Sequence, residues 1–309
     1  MQIIRHVDAL DTSLCGGALS IGNFDGVHRG HAEIVKQVVA RAKQYGGPAI
    51  IFTFDPHPVR LLRPDEVPPP LTWTERKAAI LESHGIDILF AYPTDRSLLA
   101  LSPVDFFEKV VLGRLAVRGL VEGDNFCFGS GRSGNVALLR ELTSANGIDL
   151  DIVAPVQFDG SPVSSSRIRQ LVAAGAVDVA SQLLTQPYRL RGMVTHGAGR
   201  GGLTGFPTAN LEAIDTILPA SGVYAGRGFC GEETWPAAIH IGPNPTFSEA
   251  KGKVEVHLIG CNESLYGFTL EVNFLKRLRD IETFADVNAL CKQLALDVEK
   301  VQNVIGLDK

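Results

Sequence analysis

The chain has 309 residues, 45% of them hydrophobic and 20% charged, which is typical of a soluble globular protein with a sizeable core. Its 29 basic and 34 acidic residues give a net charge of -5, which argues against a general binder of nucleic acids or anionic membranes. Five scattered cysteines form no CxxC pair, and no apolar run is long enough for a signal peptide or a membrane span. We therefore predict a cytoplasmic protein with reduced thiols and two domains.

The first half of the chain alternates between strand and helix patterns. Five segments predict strands: "GGALSIGNF", "PAIIFTF", "IDILFAYP", "VRGLVEG" and "IDLDIVAPV". Of these, "PAIIFTF" is a short continuous apolar run, as expected of a strand covered on both faces. Between them lie amphipathic segments that predict helices: "HAEIVKQVVARAKQYGG", "TWTERKAAILESHG", "SPVDFFEKVVLGRL" and "GNVALLRELTSANG". The alternation predicts a parallel α/β sheet, whose ligands bind beyond the carboxyl ends of the strands. Residues 22 to 31 fall at such an end.

The stretch "SIGNFDGVHRGH" places His28 and His31 where a strand passes into a helix. Both imidazoles can face one side of the first helical turn, where unpaired N–H groups and the helix dipole attract phosphate. Gly22 and Gly26 let the backbone approach a nucleotide closely. The alternative is a pair of packing or surface histidines. No Walker A loop is present, and no further zinc ligands are placed nearby.

A second anion signal comes from "VSSSRIRQLVAAG". Ser164, Ser165 or Ser166 can cap the helix, while Arg167 and Arg169 stand in its first turn, where basic residues oppose the dipole. A bound anion would offset that cost. The alternative is an ordinary serine-capped helix with solvated arginines.

Around Pro187 the pattern changes to closely spaced strands. The segments "YRLRGMVTHG", "GVYAGRGFC", "TWPAAIHIG", "KVEVHLIG" and "FTLEVNFLKRL" are separated by turns, which predicts a small antiparallel sheet or barrel. A closing amphipathic helix has an apolar face formed by Val287, Leu290, Leu294, Val298 and Val301. We place the domain boundary between residues 184 and 185, giving domains 1–184 and 185–309.

The segment "HGAGRGGLTGFPTANL" joins a glycine-rich loop to Thr208 and Asn210. Such loops can cradle phosphates, or they can be ordinary flexible hairpins. Thr208 and Asn210 point the same way along an extended segment and offer neutral oxygens. Glu255, flanked by Val254 and Val256, points away from both, and sequence alone favours a solvent-facing glutamate.

Two sets of motifs carry a family resemblance over nearly the whole chain. "GNFDGVHRGH", "FTFDPHP", "GDNFCFG..R.G" and "SSSRIR" resemble the adenylyltransferase module of the bifunctional riboflavin kinase/FAD synthetase family, prokaryotic type. "GFPTANL", "GVYA", "IGPNPTF", "VEVHL" and "LYG" resemble its kinase module. The resemblance implies an N-terminal Rossmann-like nucleotidyltransferase domain and a C-terminal antiparallel β-barrel with a C-terminal helix.

For the adenylyltransferase module the resemblance implies a site around the histidine pair. His28 and His31 would contact the ATP phosphates, and Ser164, Ser165 and Arg167 would form a flexible phosphate-binding segment. The other implied residues shape the turn, bind the nucleotide or flavin phosphate, or line the flavin pocket: Gly22, Asn23, Phe24, Asp25, Asn125, Phe54, Pro56, Pro58 and Phe128.

For the kinase module the resemblance implies that Thr208 and Asn210 help to hold Mg-ATP, next to Gly205 and Pro207. Glu255 would be the base that takes the proton of the riboflavin 5′-hydroxyl. The chain departs from the family pattern at several positions: Cys127, Ser166, Gly202, His240, Gly260, Cys261 and Ser264.

The resemblance therefore predicts an enzyme that converts riboflavin to FMN and FMN to FAD, using ATP and Mg²⁺. Its partners would be these small molecules, with no nucleic acid and no membrane. Two alternatives stay open: an FAD synthetase whose kinase site is weakened or lost, and a flavin-binding regulatory protein without turnover.

Overall fold

The computed structural model describes residues 1–6, 16–197, 205–244 and 249–306. The chain forms two compact units. The first comprises Met1–Pro68 and Trp73–Ser164, and the second comprises Pro69–Thr72 and Ser165–Lys309. Within the described residues, no helix combines the length and the apolar character needed to cross a bilayer.

The first unit is built on a six-stranded parallel sheet, ordered β1-β4-β3-β2-β5-β6. Its strands are β1 (Gln2–Ile4), β2 (Ala18–Ile21), β3 (Ala49–Asp55), β4 (Ile88–Pro93), β5 (Gly119–Gly123) and β6 (Asp149–Val153). A short hairpin follows, formed by β7 (Gln157–Phe158) and β8 (Ser161–Pro162). The strand order reverses between β2 and β5, the point at which such sheets open a crevice for ligands.

Helices cover both faces of this sheet. They are α1 (Arg29–Tyr45), α2 (Pro58–Leu62), α3 (Thr74–Ser83), α4 (Arg96–Leu99), α5 (Pro103–Phe106), which continues into π-helical Phe107–Leu115, and α6 (Val136–Ala145). Alternate residues of β3 enter different cores: Ile50 and Phe52 join one cluster, while Ala49 and Ile51 join the other. Coverage of both faces explains why β3 and β4 are nearly continuous apolar runs in the sequence.

The second unit is a closed antiparallel barrel, ordered β10-β13-β12-β11-β14-β9. Its strands are β9 (Arg189–Thr195), β10 (Ala209–Glu212), β11 (Gly222–Cys230), β12 (Glu233–Asn244), β13 (Glu249–Leu258) and β14 (Thr269–Arg279). Alternation fills the interior with apolar side chains, including Leu190, Tyr224, Ile239, Val256 and Phe274. This is the predicted fold class: a parallel α/β domain followed by an antiparallel barrel and a C-terminal helix.

The C-terminal helix, α9, spans Val287–Ile305. Helices α7 and α8 lie between the first unit's sheet and the barrel in the chain. Helix α9 is tied to the barrel by Arg279, whose guanidinium group donates to the carboxylate of Asp297 at 2.7 and 3.1 Å. Asp297 is only 1% exposed, so the helix buries a charge pair as well as an apolar stripe. The predicted apolar face is wrong at Val287, which is 48% exposed because it begins the helix, directly after the N-cap Asp286.

The two helices before the barrel, α7 (Ser165–Ala173) and α8 (Val177–Leu183), also belong to the second unit. They meet at Gly175, whose backbone lies so close to Tyr224 that an added Cβ would come within 2.8 Å of its hydroxyl. Val177, Ala180 and Leu183 are fully buried. Sequence analysis did not predict α8, and the predicted boundary at residues 184/185 remains a prediction.

A four-residue segment from the N-terminal part of the chain is also part of the second unit. The carbonyl of Pro70 accepts from the N–H of Ile217 at 3.0 Å, and the carbonyl of Pro69 accepts from Arg169 Nε at 2.9 Å. The chain therefore passes from one unit to the other three times, after residues 68, 72 and 164.

Candidate active sites

The first unit contains a cavity of about 480 Å³ at the carboxyl ends of its strands. This volume lies within the usual range for small-molecule sites. Ten of the predicted site residues line it: Gly22, Asn23, Phe24, His28, His31, Phe54, Pro58, Asn125, Phe128 and Ser164. Asp25 and Pro56 are not among the lining residues, and Ser165 and Arg167 lie in α7 of the second unit.

The histidine pair stands at the start of α1. His28 is its N-cap residue, and Nδ1 of His28 accepts from the backbone N–H of His31 at 3.3 Å. The two rings stack with their centroids 3.6 Å apart. Because Nδ1 accepts, neutral His28 carries its proton on Nε2, which makes Nε2 a hydrogen-bond donor.

Both histidines are neutral at pH 7. Burial lowers the pKa of His28 to about 4, although Asp25 opposes the change. Burial also lowers the pKa of His31 well below its usual value, and its proximity to His28 and Lys77 lowers that pKa further because a proton on His31 would be repelled by a charge on either neighbour. The pair can therefore donate hydrogen bonds to a phosphate as charge builds on it, without carrying a full charge beforehand.

A buried carboxyl group separates two strands at the floor of the cavity. The ladder between β2 and β5 pairs Ala18 with Gly119 and Leu19 with Leu120. Beyond that point the N–H of Ile21 donates to Oε1 of Glu122 at 2.8 Å. Burial raises the pKa of Glu122 well above its usual value. The side chain thus replaces a strand acceptor where the crevice opens, a role that sequence analysis missed.

The opposite side of the cavity is aromatic and apolar. Phe128 stacks on Phe126 at 5.5 Å and meets Phe106 at 6.3 Å, and Phe54 also lines this region. Among the lining residues described, Arg132 is the one lysine or arginine, and it holds a left-handed backbone with φ of 58°. Cys127, a departure from the family pattern, also lines the cavity.

A row of polar residues crosses four neighbouring strands of the barrel. Asn210 on β10 pairs with Glu255 on β13, and Glu255 pairs with His240 on β12. On the other side Asn210 pairs with Thr195 on β9. Directly paired residues of antiparallel strands point to the same face, so these four side chains share one side of the barrel wall. Thr195 and His240 were not predicted as site residues.

Glu255 lies between two core residues of its strand, as its sequence neighbours predicted. Val254 and Val256 are 4% and 0% exposed, whereas Glu255 is partly exposed on the other face. His257 shares that face, and its Nδ1 lies 2.7 Å from the carbonyl of Pro207, to which it donates. This contact anchors the segment that leads to Thr208 and Asn210.

The side chain of Asn210 packs against the backbone of Gly197. A Cβ added at Gly197 would lie 2.1 Å from Nδ2 of Asn210, so only glycine leaves room for the amide. Gly205 has a φ of 78°, a conformation that glycine adopts without strain. Two segments lie outside the described part of the chain: residues 198–204, which include Gly202, and residues 245–248, which include the last three residues of "IGPNPTF".

The oxygen donors of Thr208 and Asn210 suit Mg²⁺, which prefers hard oxygen ligands and retains several waters. The described residues contain no group of three or more histidine, cysteine or acidic side chains able to hold a metal ion.

Two family models match the chain, one over its N-terminal part and one over its C-terminal part. The model described as FAD synthetase matches residues 11–167, and the model described as riboflavin kinase matches residues 184–305. These matches define a chain that joins an FAD synthetase module to a flavokinase module.

Full-length relatives are similarly described. The bifunctional riboflavin kinase/FMN adenylyltransferase of Escherichia coli strain K12 is 33% identical, with 100% of this chain and 99% of the relative covered. The protein of that description from Pseudomonas fluorescens is also 33% identical, with 96% of each chain covered. The chain belongs to the bifunctional riboflavin kinase/FMN adenylyltransferase family.

A solved structure also resembles the chain over most of its length. It is described as a macrolide-efflux protein from Streptococcus pneumoniae. The TM-score is 0.86, the sequence identity is 29%, and the match covers 98% of each chain.

Proposed function

We propose that the chain is a bifunctional enzyme that phosphorylates riboflavin to FMN in its barrel and adenylylates FMN to FAD in the cavity of its first unit. The observation that carries this proposal is the full-length relationship, at 33% identity, to proteins described by both activities. We expect the enzyme to act in the cytoplasm, on riboflavin, FMN and ATP.

In the first unit, a phosphate oxygen of FMN attacks the α-phosphorus of ATP. A new P–O bond forms, the bond between the α-phosphorus and the bridging oxygen breaks, and pyrophosphate leaves with the electron pair. His28 and His31 donate hydrogen bonds to the departing phosphates, a role supported by their position at the start of α1 and in the cavity lining. The aromatic side of the cavity, with Phe54 and Phe128, suits the flavin ring.

In the barrel, the 5′-hydroxyl of riboflavin attacks the γ-phosphorus of ATP and ADP leaves. Glu255 takes the hydroxyl proton, a role that requires hydrogen-bond reach to the substrate. Thr208 and Asn210 would hold Mg²⁺, which neutralises phosphate charge when bound. Asn210 stands directly opposite Glu255, so the phosphate-holding and proton-accepting groups share one face.

One assay tests this proposal. The purified chain is incubated with riboflavin and Mg-ATP, or with FMN and Mg-ATP, and the products are separated by chromatography. We expect FMN and FAD from riboflavin, and FAD from FMN. FAD formed only from supplied FMN would indicate an inactive kinase, and tight flavin binding without turnover would indicate a regulatory protein.

A further inference from the structure

A lysine lies directly behind the turn that carries the histidine pair. Lys77 stands on the buried face of α3, only 8% exposed, together with Ala78, Ile80 and Leu81. Its ammonium group donates to the backbone carbonyl of Asn23 at 2.6 Å and to the hydroxyl of Thr53 at 3.2 Å. A buried charge is costly unless such bonds are made, so this arrangement is tightly specified.

Thr53 completes a triangle of hydrogen bonds. Its hydroxyl donates to the same carbonyl of Asn23 at 3.1 Å, so one carbonyl receives both Lys77 and Thr53. Thr53 is on β3 and is 1% exposed. The position of Asn23 is therefore fixed from β3 and from α3 simultaneously.

The turn that follows Asn23 needs such an anchor. Phe24 and Val27 have φ of 46° and 39°, left-handed conformations that non-glycine residues adopt at a cost. Strained backbone of this kind persists where the surrounding structure holds it. The ring of Phe24 lies 4.9 Å from that of His31, so a shift of this turn would move the histidine.

Charged and titratable groups face Lys77 from several elements. Asp25 of the turn and Asp55 of β3 favour its charged form, although burial lowers its pKa. Asp55 also accepts from Arg5 and Thr74. The His31 imidazole, on α1, is close enough for the charge of Lys77 to help lower its pKa, together with His28.

We propose that Lys77 is a positioning residue for adenylyl transfer, which holds the Asn23 turn and thereby fixes the donor geometry of His28 and His31. Lys77 is not among the residues that line the cavity, so it acts through the turn and not on the substrate. The inference rests on the proposed function of the first unit.

The test compares Lys77→Met with Lys43→Met in the full-length chain. Lys43 is an exposed lysine in the last turn of α1, so this matched variant loses the same charge far from the Asn23 turn. We expect Lys77→Met to lower kcat for FAD formation from FMN at least about tenfold, with KM for FMN changed less than about twofold. Lys43→Met should keep wild-type values.

The pH profile separates positioning from general destabilisation. Without the ammonium charge, the pKa of His31 rises towards its usual value, so the acid limb of kcat for FAD formation, where protonation of His31 changes the rate, should move to higher pH. Riboflavin phosphorylation by the same sample reports whether the second unit remains functional. A folded Lys77→Met with wild-type kcat and an unshifted acid limb would overturn the proposal.

If Lys77→Met does not fold, Lys77→Arg replaces it. The planar guanidinium group keeps the charge but cannot place a donor where the ammonium group stands. We expect the ratio of FAD formation to FMN formation to fall, and an unchanged ratio would overturn the proposal. A wild-type chain that makes no FAD from FMN would instead refute the proposed function.

Discussion

At the scale of single residues, the stacked histidines offer the most direct prediction for the first unit. His28→Ala and His31→Ala should each reduce FAD formation from FMN at least about tenfold, because each removes a donor to developing phosphate charge. Riboflavin phosphorylation, measured in the same samples by chromatography, should be unchanged. Wild-type FAD formation in both variants would contradict the assignment.

Glu255 is the residue whose two interpretations differ most. A partly exposed strand glutamate contributes little to stability, so Glu255→Gln should fold normally, with its free energy of unfolding changed by less than about 0.5 kcal/mol. If Glu255 is the base, as proposed, it contributes about a hundredfold or more to the rate, and glutamine cannot accept the proton.

We therefore expect Glu255→Gln to lose most FMN formation from riboflavin while it still makes FAD from supplied FMN. Measuring both products in one sample controls for misfolding. Near wild-type kinase turnover would return Glu255 to its solvent-facing interpretation.

Glu122 makes stability depend on pH in a predictable direction. Its native pKa lies well above the usual value of 4.5, so above that pH the unfolded chain loses the proton first. The native state then binds more protons, and the contribution of Glu122 to stability falls as pH rises, by up to about 1.4 kcal/mol per pH unit. Glu122→Gln keeps an acceptor for Ile21 but has no proton to lose.

The variant should therefore gain stability relative to wild type between pH 5 and pH 7. The chain has two tryptophans, and Trp73 is in the first unit. A Trp235→Phe background makes Trp73 fluorescence a probe of that unit during denaturant unfolding. Parallel stability curves for the two proteins would show that Glu122 is ionised in the native state.

At the scale of elements, the packing of α7 and α8 indicates where the second unit begins. Their contact at Gly175 with Tyr224, and the burial of Val177 and Leu183, indicate that the barrel needs them. Exposing large apolar side chains costs about 1.5–3 kcal/mol each. A fragment of residues 165–309 should therefore unfold cooperatively at a higher temperature than a fragment of residues 186–309, as measured by calorimetry. Equal transition temperatures would favour the boundary at residues 184/185.

Strong periodicity made most elements predictable. The residues of β2, β3 and β4 are almost all buried, and the burial of Val254 and Val256 correctly predicted that Glu255 points to the other face. In contrast, α8 was missed because its short sequence carries no clear start or stop signal. The histidine pair was identified from its spacing, helped by the family resemblance.

The burial of Lys77 and of Glu122 could not be predicted from the sequence. A charged residue in an amphipathic segment is ordinarily assigned to the solvent side. Lys77 is buried because its hydrogen-bond partners, Asn23 and Thr53, come from distant parts of the chain. Glu122 is buried because β2 and β5 separate beside it. Neither set of contacts produces a recognisable pattern in the local sequence.

At the scale of the whole molecule, the two proposed sites lie in different units and share no residue. It should therefore be possible to abolish either activity by mutation while the other is retained. A mixture of His28→Ala and Glu255→Gln chains should convert riboflavin to FAD, because one variant makes FMN and the other uses it. Chromatography of the mixture against each variant alone measures this complementation. If the mixture makes no more FAD than its components, the two activities are not separable.

Pro69–Thr72 also constrains how the chain can be made. On the ribosome these residues are synthesised about 145 positions before Ile217, with which Pro70 bonds. At about 5–20 residues per second, that interval lasts roughly 7–30 s. Residues Pro69–Thr72 therefore remain without this partner for many seconds, and the sheet of the first unit is fully synthesised before the partner appears. The second unit can therefore be complete only when its first four residues have met partners that are synthesised after the first unit has ended.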